Sequence, residues 1–123
     1  NNKTLAVIKN LTTYKFSGNN ITWLSADGLL YNSDITGKLI EQLTIKNTLI
    51  NPGQNYQIFI LPKKTLLQID NSLFSLNPDK KTLEDITPPE TNYKIIDSLD
   101  ENNNLNLILW NQNKIYLYSF VNK

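Results

Sequence analysis

Thr22-Trp23-Leu24-Ser25-Ala26-Asp27-Gly28-Leu29-Leu30-Tyr31 and Thr65-Leu66-Leu67-Gln68-Ile69-Asp70-Asn71-Ser72-Leu73-Phe74 lie 43 residues apart and share one design. A short run rich in apolar, aromatic and β-branched residues enters a polar turn, and a second apolar run leaves it. Such runs suit a pleated, half-buried surface. Asp27-Gly28 is a strong hairpin signal, because Gly tolerates the positive φ of a tight turn. Asn71-Ser72 is expected to serve as the turn of the second stretch.

The likeness extends outward without a gap. Residues 16–44 align with 59–87, and 8 of these 29 positions are identical. They are Phe16/Phe59, Thr22/Thr65, Leu24/Leu67, Asp27/Asp70, Leu30/Leu73, Lys38/Lys81, Glu41/Glu84 and Thr44/Thr87. Unrelated segments would share roughly two at average residue frequencies. A third copy follows after 41 to 42 residues: Leu66, Leu67 and Ile69 map to Leu107, Ile108 and Trp110, and Leu73, Phe74 and Leu76 map to Ile115, Tyr116 and Tyr118. Its turn falls at Gln112-Asn113.

With one strand added before each hairpin, every unit becomes a four-strand meander. The expected strands are 12–17, 21–26, 29–34 and 39–44, then 56–61, 65–70, 72–77 and 82–87, then 93–98, 105–111 and 114–120, with the last strand of the third unit missing. Thr4 to Lys9 reads as the closing strand of a preceding unit. Asn51-Pro52-Gly53 and Pro88-Pro89 interrupt the connections 45–55 and 88–92. Four short strands per repeat of about 40 residues mark propeller blades. The expected fold is therefore all-β, with about three four-stranded antiparallel blades (12–44, 56–87 and 93–120) of a partial or open β-propeller. No segment sustains a 3.6-residue period, which argues against helices. Propellers close with four to eight blades. Missing chain, signalled also by the lack of an initiator Met, or association of copies is expected to complete the ring. Exposed blade faces would make the chain self-associate.

One run carries a resemblance: Gly18-Asn19-Asn20-Ile21-Thr22-Trp23-Leu24-Ser25-Ala26-Asp27-Gly28-Leu29-Leu30-Tyr31, followed by Ser33-Asp34-Ile35-Thr36-Gly37-Lys38-Leu39. It resembles the propeller-like region of bacterial PEGA domain-containing proteins, with their WD-repeat-like blades. The resemblance implies an extracytoplasmic protein of the cell envelope, of unassigned activity, and it transfers no catalytic residue. The Pro-Glu-Gly-Ala signature and the membrane anchor of that family are absent from these 123 residues.

Composition narrows the chemistry. The net charge is +1 and all 12 basic residues are Lys. Without Arg, bidentate recognition of phosphate or guanine is disfavoured, so no nucleic-acid partner is expected. No stretch is long enough to span a membrane as a helix, and no direct insertion by this segment is expected. With neither His nor Cys, a Ser-His-Asp triad, a thiolate nucleophile and a His- or Cys-ligated metal are excluded. The 19 Asn residues fit an AT-rich coding bias. The glycosylation-like triplets at Asn2, Asn10 and Asn20 are attributed to that abundance.

The remaining candidates have structural readings beside functional ones. Asp27, Asp70 and Asn111 recur at one position. They could form a ring of ligands for Ca²⁺ or a sugar, but the Asp/Asn exchange favours turn residues bonded to their own backbone. Asp100-Glu101-Asn102-Asn103-Asn104 could hold a hard cation, yet it lacks the spacing of a Ca²⁺ loop and reads as a long solvated hairpin loop. Trp23 and Trp110 read as core anchors between blades rather than exposed stacking platforms. Glu41 and Glu84, with Asp85, could be a glycosidase pair, but they fall on outer strands of different blades, where charge discourages edge pairing. The function expected is a non-catalytic scaffold or binding module for a protein or glycan partner, without cofactor or metal. The alternatives are a carboxylate-based glycan-acting enzyme with its site in missing blades, and a half-propeller that homodimerises.

Overall fold

The computed structural model describes residues 2–5, 7–45, 51, 53–89, 92–101 and 104–121. These residues form eleven strands in three consecutive antiparallel sheets. The first sheet contains β1 (Leu11–Ser17), β2 (Asn20–Ser25), β3 (Leu29–Asp34) and β4 (Leu39–Thr44). The second contains β5 (Tyr56–Leu61), β6 (Lys64–Ile69), β7 (Ser72–Asn77) and β8 (Thr82–Asp85). The third contains β9 (Lys94–Glu101), β10 (Asn104–Asn111) and β11 (Lys114–Val121). In each sheet the strands pair in chain order.

Turn chemistry fixes these meanders. At the β2–β3 corner Gly28 adopts φ 81 and donates to the Ser25 carbonyl at 3.1 Å, while Leu29 N–H donates to the Ser25 hydroxyl. At β6–β7 the turn is Asp70-Asn71, one residue earlier than the sequence suggests. Asp70 takes the left-handed φ of 49, a conformation that Asp tolerates better than most residues. The Asn55 N–H donates to the Asp70 carboxylate, and the Asp70 N–H donates back to the Asn55 carbonyl. Asn71 then ties the second sheet to the third. Its carbonyl accepts from the Tyr93 hydroxyl, and its side-chain oxygen accepts from Ile95 N–H at 2.9 Å.

The sheets stack face against face, with the second in the middle. On β6, Leu66 and Leu67 point to opposite sides, as successive strand residues must. Leu66 packs with Phe59, Leu61 and Leu73 against Leu105, Leu107 and Leu109 of the third sheet. Leu67 packs with Ile58 and Leu83 against Leu24 and Ile45 of the first. Each such leucine contributes roughly 1.5–3 kcal/mol of burial. The sheets come closest through their first strands: β1 lies against β5, and β5 against β9 and β10. Lys15 on β1 reaches past β5 to Asp100 on β9, at 3.2 Å. The first strands thus gather on one side of the stack.

Several expectations are revised. The described residues of Thr4–Lys9 form no strand, and Leu5 and Val7 are exposed. Among the described residues no strand pairs with them. Asp100 and Glu101 extend β9 and Asn104 opens β10, so these three belong to strands and not to a loop; residues 102 and 103 lie outside the described residues. The gapless alignment is off by one on β2. Across the first hairpin Trp23 pairs Tyr31, and across the second Leu67 pairs Phe74. The first loop holds one residue more, so Trp23, not Leu24, occupies the position of Leu67. A one-residue slip reverses the face. Leu24 and Leu67 therefore meet across a shared interface instead of pointing the same way. The same slip separates β10 from the 41-residue spacing, because Leu109 pairs Tyr116. At matching registers Leu109 follows Leu67, and Ile108 follows Leu66.

This register is testable by double-mutant cycles in urea. Leu24→Ala and Leu66→Ala should each cost about 2–5 kcal/mol. Leu24→Ala and Leu67→Ala should couple by about 0.5–3 kcal/mol, while Leu24→Ala and Leu66→Ala should add within about 0.5 kcal/mol.

Candidate functional site

The first and second sheets close tightly at one end and part at the other. At the closed end Leu24, Ile45, Ile58 and Leu67 fill the space. At the end marked by the β5–β6 turn a slot of about 330 Å³ opens between them. This lies at the lower limit of small-molecule sites. Its first-sheet wall is a cross-strand row: Thr22 on β2 pairs Asn32 on β3, which pairs Glu41 on β4. Ile60, its cross-strand partner Thr65, and Leu76 form the facing wall, with Pro62, Lys63 and Pro78 at the rim.

The polar row coincides with the opening. At the same register the second sheet carries Leu66, Ser75 and Glu84. There Leu66 and Ser75 are buried against the third sheet, and Glu84 accepts from the Asn77 amide at 3.0 Å. In the first sheet, Thr22 and Asn32 take the places of Leu66 and Ser75, and the sheets separate. The Asn32 side-chain oxygen is buried without a hydrogen-bond partner among the described residues. Such an atom costs free energy and calls for a reason. Lys64 also borders the slot, but its Nζ sits 5.4 Å over the Phe120 ring and is directed to the third sheet, which leaves Lys63 as the rim cation among the described residues. Lys63 and Glu41 balance, so the slot presents no strong net field.

The other candidates are dispersed. Asn111 accepts from the backbone of Asn113 and Lys114, and Asp70 bonds Asn55, so these two act as turn residues. Asp100 is engaged by Lys15, and the rest of the proposed cation loop lies partly outside the described residues. Among the described residues no group of three or more His, Cys, Asp or Glu side chains is placed to hold a metal. Glu41 lines the slot, while Glu84 stands in another sheet.

Neither tryptophan lies between sheets. Trp23 is on the outward face of the first sheet, stacked on Tyr31 with centroids 4.1 Å apart, and Tyr14 and Phe16 extend that face. Trp110 is on the outward face of the third sheet, with Ile108, Ile115 and Leu117. Ile115 is 65% and Leu117 83% exposed. A shallow apolar groove runs there along Leu99, Ile108 and Leu117. By register Ile108 and Ile115 stand where Leu66 and Leu73 stand in the second sheet, and both those leucines are fully buried.

No family model, no curated protein and no solved structure matches this chain.

At the slot's end of the first sheet, Asp34 closes the β3–β4 turn. Its carboxylate accepts from the Thr36 hydroxyl and from the Thr36 and Lys38 N–H groups, with the Thr36 hydroxyl the leading cause of a lowered pKa. Asp85 is lowered by the Thr87 hydroxyl and N–H in the same manner. Both carboxyls hold their protons less tightly folded than unfolded. Their stabilisation is complete above the unfolded value of about 3.9 and fades as pH falls through the lower folded values. Urea midpoints should be flat above about pH 5 and drop below about pH 4. Asp34→Asn, which keeps the accepting oxygen, should make that acid limb shallower. An unchanged limb would show that the turn does not set the titration.

Proposed function

We propose that the three sheets are consecutive blades of a propeller-like module that works by binding and scaffolding, not by catalysis, and that further sheets of the same kind complete it at both ends. One observation carries this reading. The outward faces of the first and third sheets place aromatic and aliphatic residues at registers that are buried inside the stack. Ile115 is exposed where Leu73 is sealed, and Trp23 and Tyr31 look outward where Leu67 and Phe74 look into a neighbour. Contiguous exposed apolar surface of this kind marks a contact face. The gathering of β1, β5 and β9 on one side suits inner strands arranged around an axis.

Support for a non-catalytic role comes from the slot, whose lining among the described residues includes a single carboxyl group, Glu41. Hydrolysis of a glycoside ordinarily uses two. The resemblance over Gly18–Tyr31 and Ser33–Leu39 extends the proposal to the extracytoplasmic side of a bacterial envelope.

The chain lacks Cys, so engineered thiols report cleanly. Stacked sheets lie about 10 Å apart, a span that suits a short bismaleimide linker better than a disulfide. A Phe16→Cys/Leu117→Cys variant should give a ladder of cross-linked multimers, because the third sheet of one copy lies on the first sheet of the next. Leu117→Cys alone should give almost none. Dimers from the single variant, or a monomer that never cross-links, would contradict completion by like sheets.

A further inference from the structure

We propose that the slot between the first and second sheets binds a neutral, polyhydroxylated ring, of which a monosaccharide unit is the simplest form. The site concerns an interface inside the chain and does not depend on what covers the outer faces. Its walls differ in kind. One is the row Thr22, Asn32 and Glu41, held in register across three adjacent strands. The other is mainly apolar, built on Ile60 and Leu76 with Thr65 beside them. A sugar ring has the matching asymmetry, with hydroxyls along its edge and C–H groups on its faces.

The polar row is rich in acceptors. The buried Asn32 oxygen has no donor among the described residues, and the Glu41 carboxylate is acceptor-only when ionised. Ring hydroxyls are donors as well as acceptors, and so can supply the protons that this row of acceptors lacks. Charge selects against ionic ligands. Lys63 offsets Glu41, and the chain has no Arg to fork onto phosphate or carboxylate. At the equivalent register the second sheet is closed by Leu66, so the slot is a local departure from the packing used elsewhere. Such departures from local consistency tend to fall at functional sites.

The test is an amide chemical-shift titration of the whole chain with glucose, galactose and N-acetylglucosamine, each up to about 50 mM. At least one should give saturable shifts at Thr22, Asn32 and Thr65, with Kd on the order of 1 mM, as a small ligand in an open slot allows. Glu41→Gln, on an exposed strand, should fold normally and weaken binding by about tenfold or more. Asn32→Leu should abolish binding yet raise the urea midpoint, since it removes an unpaired buried oxygen. The proposal is overturned if none of the three sugars shifts these amides saturably, if Asn32→Leu binds as well as the native chain, or if propylammonium binds the slot in their stead. Should Asn32→Leu lower the midpoint, the asparagine serves the fold, and the Glu41→Gln comparison alone then decides whether the row binds.

Discussion

Everything in this molecule depends on covering both faces of the β5–β8 sheet. Leu66 and Leu67 are neighbours in sequence and lie 0% and 5% exposed on opposite sides of one strand. A sheet with apolar residues on both faces is insoluble alone, and one neighbour can cover only half of it. The first sheet covers the side of Ile58 and Leu67, and the third covers the side of Phe59 and Leu66. The hydrogen bonds from Asn71 and the Lys15–Asp100 pair add alignment to an association that burial drives. Exposed ion pairs are worth about 0–1 kcal/mol, whereas a single buried leucine is worth more.

The same rule makes the ends of the stack meaningful. Each flanking sheet has one face sealed by the middle sheet and one that is not. On the first sheet the free face is aromatic, with Tyr14, Phe16, Trp23 and Tyr31; on the third it is mainly aliphatic, with Ile108, Ile115 and Leu117 around Trp110. The inner interfaces are not uniform either. Between the second and third sheets leucine meets leucine. Between the first and second, Thr22 and Asn32 interrupt the apolar packing at one end and hold it open.

Strand positions were legible because turn chemistry is local. Asp27-Gly28, Thr36-Gly37 and Pro78-Asp79 each announce a reversal, and the strands between them fall within a few residues of expectation. Facing was not legible, because a gapless alignment cannot see that the first hairpin carries an extra loop residue. That single residue sent Leu24 and Leu67 toward each other, and it moved Trp23 out of the core. Trp110 escaped for a similar reason, one position beyond buried Leu109. Thr4–Lys9 has strand-like composition, but among the described residues no strand pairs with it, and composition alone cannot provide a partner. The slot was illegible in a different way. Asn32 is one of 19 asparagines, and only pairing across β2, β3 and β4 sets it between Thr22 and Glu41. Glu41 did stand out by its recurrence as Glu84, but that recurrence pointed to the outer edge and not to a cleft wall.

Methyl–methyl nuclear Overhauser effects from two adjacent leucines test the stacked arrangement most directly. Leu67 should see Leu24 and Ile45 and not the third sheet, while Leu66 should see Leu105 and Leu107 and not the first. Contacts from both leucines to the same neighbouring sheet, or a Leu66 without contacts beyond its own sheet, would contradict a middle sheet sealed on both sides.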